Sequence, residues 1–367
     1  MENHQNVYLE GQETVTERKK PPRDVNLDLI RCVALFLVPS LHSLAYMEFY
    51  DIPVTGWLMY IMSSIRTMSM MCIPLFLMLT GYLMSKKVYS RKYFKGLIRV
   101  WLIFFLCKIV IVIFYDRLYR HSYNTLLDFI KSLTAGGEYS WYVGLYTWMY
   151  CLIPLSNIIF NSLDEKWKKQ SFLLAVIGIL ILPTFGNYYK SDMPDIFHAL
   201  WPFAYYFIGA YAREYHNDDD KGRALVLFLG AVLMSCTISI LISKDTPYLR
   251  NSLNDWNSFG TAMMSAALFV LLRKLDLRNI PQMAKVILAK VSEWSFGAYL
   301  LTWIFDNVFY DKLVDLIPTA IDRLKYYVII VPMVLVCSLL VSAVVNVVYK
   351  YLFALLKAIY KEIKSAV

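Results

Sequence analysis

Long apolar runs alternate with short polar and basic segments along this chain, from Leu27 to Leu356. Each run holds about 20 residues, enough for a helix to cross the roughly 30 Å hydrocarbon core of a bilayer. The pattern predicts an all-α, polytopic membrane protein with about ten transmembrane helices. The predicted spans cover residues 27–46, 66–85, 97–115, a fourth run ending near 160, 171–186, 198–213, 223–243, 256–272, 291–310 and 326–349.

Composition agrees with one membrane domain and divides the chain into three parts. The chain is 58% hydrophobic and 18% charged, whereas soluble domains are about a quarter charged. We expect residues 1–26 to form a basic cytoplasmic tail, 27–349 the transmembrane domain and 350–367 a cytoplasmic amphipathic helix. In that last part the lysines fall on one side and the aliphatic residues on the other, as in helices that lie on an anionic leaflet.

The net charge of +9 is unevenly distributed along the chain. Lys and Arg concentrate in alternate connecting segments, beginning with the N-terminal tail, as the positive-inside rule describes. This distribution predicts a multi-pass protein of the cell membrane with both termini in the cytoplasm. Because the basic excess is an orientation signal, we expect contact with membrane lipid and no nucleic-acid partner.

The first predicted span carries two ionisable residues, Arg31 and His42. Eleven residues correspond to about 1100° of helix rotation, so both lie within about 20° of one line and about 16 Å apart along the axis. Ionisable side chains inside a membrane usually mark a site or a pathway. Imidazole titrates near neutral pH and can act as a general base, while a guanidinium can grip phosphate or polarise a carbonyl.

Both residues also have a structural interpretation. His42 could hydrogen-bond to a neighbouring helix, and Arg31 could pair with Asp28, three residues earlier on the same helix. The presence of both on one face favours a functional site.

Other residues extend the list of candidates. Lys95 and Arg99 share a helix face that enters the third span, so they could bind an anionic ligand. Trp141 and Tyr142 fit either an interfacial aromatic belt or a sugar-stacking surface. Arg66, at the start of the second predicted span, could simply snorkel to the interface.

The remaining histidines and the cysteines suggest no metal site. His121 and His216 lie in predicted loops, and His198 is a weaker candidate at a helix end. The six cysteines fall inside apolar runs without C-x-x-C or Cys/His ligand spacing, so they are expected to be buried small side chains. We expect neither a metal nor a tightly bound cofactor.

Four stretches resemble, in order, the motifs of the acyltransferase-3 family of bacterial membrane O-acyltransferases. Asp28-Leu-Ile-Arg31 followed by ten residues and His42 is similar to its opening Arg-x10-His signature. The other three are the segments 74–84, 95–99 and 295–302. The chain departs from the family pattern with Thr80 for serine, Lys95 for arginine, Leu102 for proline and Thr302 for a late histidine.

The resemblance implies transfer of an acyl group, commonly acetyl, from cytoplasmic acyl-coenzyme A to a hydroxyl of an extracytoplasmic or lipid-linked glycan. Together with the residue types, it leads to the hypothesis that Arg31, Lys95 and Arg99 bind the donor and that His42 and Arg31 are catalytic. Trp141 and Tyr142 are assigned to the glycan acceptor because aromatic rings suit sugar stacking. In this interpretation acyl-coenzyme A is a co-substrate. His42 would deprotonate the acceptor hydroxyl or carry the acyl group for a time.

Two other classes of protein fit the same composition. A proton-coupled transporter or flippase for a glycolipid or small anion could use Arg31 and His42 as its gate, although matching halves with broken helices are not evident. A membrane sensor or assembly subunit is the third alternative. Release of coenzyme A from acetyl-coenzyme A distinguishes the enzyme from both.

Overall fold

A computed structural model describes residues 23–119, 126–134, 139–181, 199–215, 220–251 and 253–366. Within these ranges the chain is helical, and β structure is limited to two isolated bridges, Pro53–Pro247 and Val54–Lys244. The helices are α1 Val25–Tyr46, α2 Gly56–Ser69, α3 Cys72–Met84, α4 Arg91–Tyr119, α5 Leu126–Thr134, α6 Trp141–Asn161, α7 Lys166–Leu180, α8 Trp201–Tyr215, α9 Lys221–Ile242, α10 Phe259–Arg273, α11 Gln282–Leu316 and α12 Tyr327–Ala366. Short helical turns lie at Phe49–Asp51, Ala320–Arg323 and Leu324–Tyr326.

In the part of the chain that the structure describes, six segments are long and apolar enough to cross a membrane: Val25–Tyr46, Gly56–Met84, Arg91–Tyr115, Trp141–Asn161, Lys221–Ile242 and Ala320–Ile359. The chain is therefore an all-helical membrane protein. The other four predicted spans fall on α7, α8, α10 and α11. The total of ten transmembrane helices and the cytoplasmic orientation of both termini stay predictions.

The second predicted span begins in the wrong place. Residues 56–69 already form α2, and a break at Met70 and Met71 separates it from α3. Arg66 consequently lies inside a helix and not at its mouth. Its side chain is only 2% exposed and donates hydrogen bonds to the Tyr50 hydroxyl and the Asn254 carbonyl. The snorkelling interpretation of Arg66 is wrong, because the loop around Asn254 supplies polar partners that cover it.

The start of α1 is fixed by a side-chain cap. The Asp24 carboxylate accepts hydrogen bonds from the backbone N–H groups of Asn26 at 3.0 Å and Leu27 at 3.3 Å. Such a cap satisfies donors that the first helical turn leaves unpaired. Asp24 also pairs with Arg273 of α10 at 2.7 Å, so the cap ties α1 to a second helix.

Helices α3 and α8 approach each other unusually closely. A Cβ atom on Gly81 of α3 would collide with the Tyr206 carbonyl, and one on Gly209 of α8 would collide with the Met78 carbonyl. The two glycines therefore allow backbone-to-backbone packing, a common means of helix association in membranes. This contact supports α3, which forms one wall of the candidate site.

Helix α1 lies against α11 and α3. The main apolar core surrounds this region, and a smaller apolar cluster covers the C-terminal end of α1. Helix α12 also packs on α11 and continues without interruption from Tyr327 through residues 350–366, so the predicted C-terminal amphipathic segment is the end of this helix and not a separate element. The division of the chain into three parts stays a prediction.

Candidate functional site

Two helices, α1 and α11, carry polar side chains of the site, and these side chains pair across the two helices at two successive levels. Arg31 of α1 donates from Nη1 to the Ser292 hydroxyl of α11 at 2.6 Å. Eleven residues further on, His42 of α1 faces Asp306 of α11. Ser292, Tyr299 and Asp306 are spaced seven residues apart, so they form a stripe on one face of α11.

The structural interpretation of Arg31 holds in part, because the Asp28 carboxylate lies within ion-pair distance of its guanidinium. Asp28 lies 3.7 Å from Arg31, but its closer partner is Arg23, which holds both carboxylate oxygens at 2.5 and 2.9 Å. The Arg31 side chain is a quarter exposed. Arg31 therefore has part of its guanidinium available to a ligand.

A cavity of about 280 Å³ opens beside Arg31. It also contains Arg99, and its remaining walls are mainly aliphatic and aromatic. They are formed by Ile73, Phe76, Leu79, Thr80, Leu83, Met84, Val100, Ile103, Tyr142, Tyr146, Ser292, Glu293, Ser295, Phe296 and Tyr299. An apolar cavity with a few charged groups is the usual form of a site for an extended, partly charged small molecule.

The other sequence candidates divide between this cavity and its surroundings. Arg99 lines the cavity and lies over the Tyr349 ring, with its Cζ 5.6 Å from the ring centroid. Lys95 is exposed one turn earlier on α4 and is not among the lining residues. The structure thus brings Arg31 and Arg99 together and leaves Lys95 outside.

Trp141 and Tyr142 also have different surroundings. Tyr142 is buried and lines the cavity with Arg31. Trp141 is exposed and stacks on Trp256, with ring centroids 5.0 Å apart. The two rings contact each other edge to face, with centroids 6.0 Å apart, but only Tyr142 lines the cavity with the donor candidates.

His42 faces a buried carboxylate. Its Nδ1 lies 3.4 Å from Oδ2 of Asp306, which is an ion-pair distance and slightly longer than a normal hydrogen bond. Asp306 is fully buried, whereas the His42 side chain is 20% exposed. A carboxylate on one nitrogen of an imidazole favours the tautomer that leaves the other nitrogen able to accept a proton.

Tyr139 lies between this pair and the cavity. Its ring stacks on His42 with centroids 4.0 Å apart, and its hydroxyl donates to Oδ2 of Asp306 at 2.7 Å. Tyr299, a cavity wall residue, donates its hydroxyl to the Tyr139 carbonyl at 2.8 Å. The cavity and the His42–Asp306 pair are therefore neighbours, separated by tyrosines.

Asp306 is the principal residue that the sequence interpretation missed. It falls inside the predicted span 291–310, within the apolar segment Trp303-Ile-Phe-Asp-Asn-Val-Phe. The cost of an ionisable group in hydrocarbon, which identified His42, also marks Asp306. Tyr139 gave no such signal, because a tyrosine before a helix is ordinary at a membrane interface.

Other groups do not extend the site. Among the described residues no cluster of three or more His, Cys, Asp or Glu side chains is placed to hold a metal ion. The six cysteines are free thiols. His121, His198 and His216 lie outside the described residues.

Comparison with known proteins gives one match. A family model described as an acyltransferase domain matches residues 24–343, which include the cavity residues together with His42, Tyr139 and Asp306. Neither the comparison with curated proteins nor that with solved structures gave a match.

Proposed function

The chain belongs to the acyltransferase-3 family, and on that premise we propose that it is a membrane O-acyltransferase. In this proposal an acyl group, acetyl in the simplest case, moves from cytoplasmic acyl-coenzyme A to a hydroxyl of an extracytoplasmic or lipid-linked glycan. The observation that carries the proposal is the arrangement around α1, where a cavity lined by Arg31 and Arg99 adjoins the partly exposed His42 and the buried Asp306 carboxylate.

The cavity suits the donor. Arg31 and Arg99 would bind phosphate groups of the coenzyme, since guanidinium groups form strong charge-assisted hydrogen bonds with phosphate oxygens. The apolar walls would accommodate the uncharged arm that ends in the thioester. Lys95, one turn from Arg99 but outside the cavity, would add long-range attraction for the anionic donor.

His42 would act on the acceptor. Its free ring nitrogen takes the proton of the acceptor hydroxyl, whose oxygen then attacks the thioester carbonyl carbon. The new bond joins oxygen to the acyl carbon, the carbon–sulfur bond breaks, and the proton on His42 passes to the leaving thiolate. Asp306 would stabilise the imidazolium that exists between these two transfers.

The distance between Arg31 and His42 constrains this scheme. About 16 Å of helix axis separates them, so one thioester cannot contact both residues in a fixed position. Arg31 would hold the phosphate end of the donor within the cavity. The thioester end of the coenzyme arm would then reach His42 past Tyr299 and Tyr139. There the acyl group would pass directly to the acceptor oxygen, or first to the imidazole nitrogen as the coenzyme thiolate leaves and then to the acceptor oxygen.

The test is release of coenzyme A from acetyl-coenzyme A by purified protein in lipid vesicles, with radiolabelled acetyl and a crude glycan extract. Wild-type protein should release the thiol and label the glycan, and His42→Ala should do neither while still showing a cooperative thermal unfolding transition. Equal rates in both proteins would exclude His42 as the catalytic base. No release by wild type, with an extract shown to contain acceptor, would favour the transporter.

A further inference from the structure

Tyr139 is the closest partner of the buried Asp306 carboxylate in the described part of the chain. Its hydroxyl is 2.7 Å from Oδ2, whereas Nδ1 of His42 is 3.4 Å from the same oxygen. Hydrogen bonds to a charged group are among the strongest in proteins, and their loss inside a low-dielectric region is costly. The phenol is therefore placed to determine where the carboxylate sits relative to the imidazole.

The ring of Tyr139 fixes the other member of the pair. It stacks on His42 with an interplanar angle of 24° and a centroid distance of 4.0 Å. Stacking of this kind restricts rotation of the imidazole about its side-chain bonds. One residue thus contacts both His42 and Asp306, by two different interactions.

The backbone of Tyr139 is itself held in place. Tyr299 of α11 donates its hydroxyl to the Tyr139 carbonyl at 2.8 Å. Tyr299 lies one heptad before Asp306, so the same helix that carries the carboxylate also anchors the tyrosine that orients it. The arrangement is a closed loop of contacts through Tyr139, Asp306 and Tyr299.

We propose that Tyr139 is a positioning residue of the transferase, which orients the Asp306 carboxylate through its hydroxyl and the His42 imidazole through its ring. This inference rests on the proposed function. Tyr139 takes no proton and forms no bond with the acyl group. It acts only through His42 and Asp306.

The hydroxyl and the ring can be tested separately. Tyr139→Phe removes the hydrogen bond and keeps the stacked ring, so kcat for acetyl transfer should fall about 10- to 100-fold. The KM for acetyl-coenzyme A should stay at the wild-type value, because the donor cavity is unchanged. Tyr139→Ala removes both interactions and should lower kcat further.

Tyr206→Phe is the matched control. The Tyr206 hydroxyl donates to Oδ1 of Asn157 at 2.6 Å in a buried position on α8. Its loss removes a phenol-to-side-chain bond of similar length without touching the His42–Asp306 pair. We expect Tyr206→Phe and Tyr139→Phe to lower the unfolding temperature similarly, and only Tyr139→Phe to lower kcat.

A double-mutant cycle then shows whether Tyr139 acts through the carboxylate. In an Asp306→Asn background, Tyr139→Phe should cause little further loss of kcat. Wild-type kcat in Tyr139→Phe, or full additivity with Asp306→Asn, would overturn the positioning role. Failure of wild-type protein to transfer acetyl would instead contradict the proposed function, so the two failures are distinguishable.

Discussion

The Arg31 guanidinium donates to the Ser292 hydroxyl at 2.6 Å and so joins α1 to α11 at one end of the site. The same two helices meet again where His42 faces Asp306. Because Ser292 and Asp306 are two heptads apart on one face of α11, both contacts follow from one packing of two helices. Donor binding and catalysis would thus share a single rigid frame.

Asp306→Asn should abolish most of the transfer activity. The amide keeps the volume of the carboxylate but cannot stabilise an imidazolium, and such a change costs about 100- to 10,000-fold in kcat. The rate is measured as labelled acetyl on the glycan at saturating donor. Asp311→Asn, an exposed position on the same helix, is the control and should match wild type. A fully active Asp306→Asn would remove the carboxylate from the mechanism.

Arg31→Gln should weaken donor binding. A charge-assisted hydrogen bond is worth about 1.5–3 kcal/mol, so the KM for acetyl-coenzyme A should rise about 10- to 100-fold. Ser292→Ala removes the interhelical contact while keeping the charge, and its KM should change little. An equal increase in both variants would mean that Arg31 serves mainly to join the helices.

Arg99 and Lys95 should differ in their effects on the donor. Arg99 lines the cavity and Lys95 does not, so Arg99→Ala should raise the KM for acetyl-coenzyme A several-fold more than Lys95→Ala. The Lys95→Ala effect should disappear at high salt, because a distant charge is screened within about 10 Å at 0.1 M. Equal, salt-independent effects would place Lys95 in the binding site after all.

Gly209→Ala should destabilise the protein. The new Cβ would collide with the Met78 backbone of α3, and overpacking of this kind costs about 1–3 kcal/mol. Gly230→Ala on α9 is the control, since a Cβ there meets no atom within 4 Å, and alanine favours a helix more than glycine does. Thermal unfolding in detergent should show a lower midpoint for Gly209→Ala only. Equal unfolding midpoints for Gly209→Ala and Gly230→Ala would mean that α3 and α8 can move apart without loss of stability.

The sequence predicted the helical membrane fold, and its assignment of Arg31 and His42 to a site stays a prediction. The length of an apolar run is set by the thickness of the bilayer and not by tertiary contacts. The first span, predicted from residue 27, therefore starts within two residues of the observed start of α1 at Val25. The error at Arg66 arose because a loop some 190 residues away supplies its partners, and sequence order does not reveal such a contact. The pairing of Asp306 with His42 was missed for the same reason, since it depends on how α1 packs on α11.

The local patterns also could not separate Lys95 from Arg99, or Trp141 from Tyr142. Both pairs are close in sequence and similar in chemistry, and only the rotation of each helix against its neighbours decides which member faces the cavity. Tyr139 is an extreme case, because its proposed role comes from contacts with residues of α1 and α11 that are distant in sequence.

The separation of Arg31 from His42 has an electrical consequence for the proposed reaction. A charge that crosses a membrane does about 2.3 kcal/mol of work for each 100 mV of voltage. If Arg31 and Arg99 retain the coenzyme phosphates at one end, only an uncharged acyl group travels along α1. The free energy of acyl-group export would then be independent of the membrane potential.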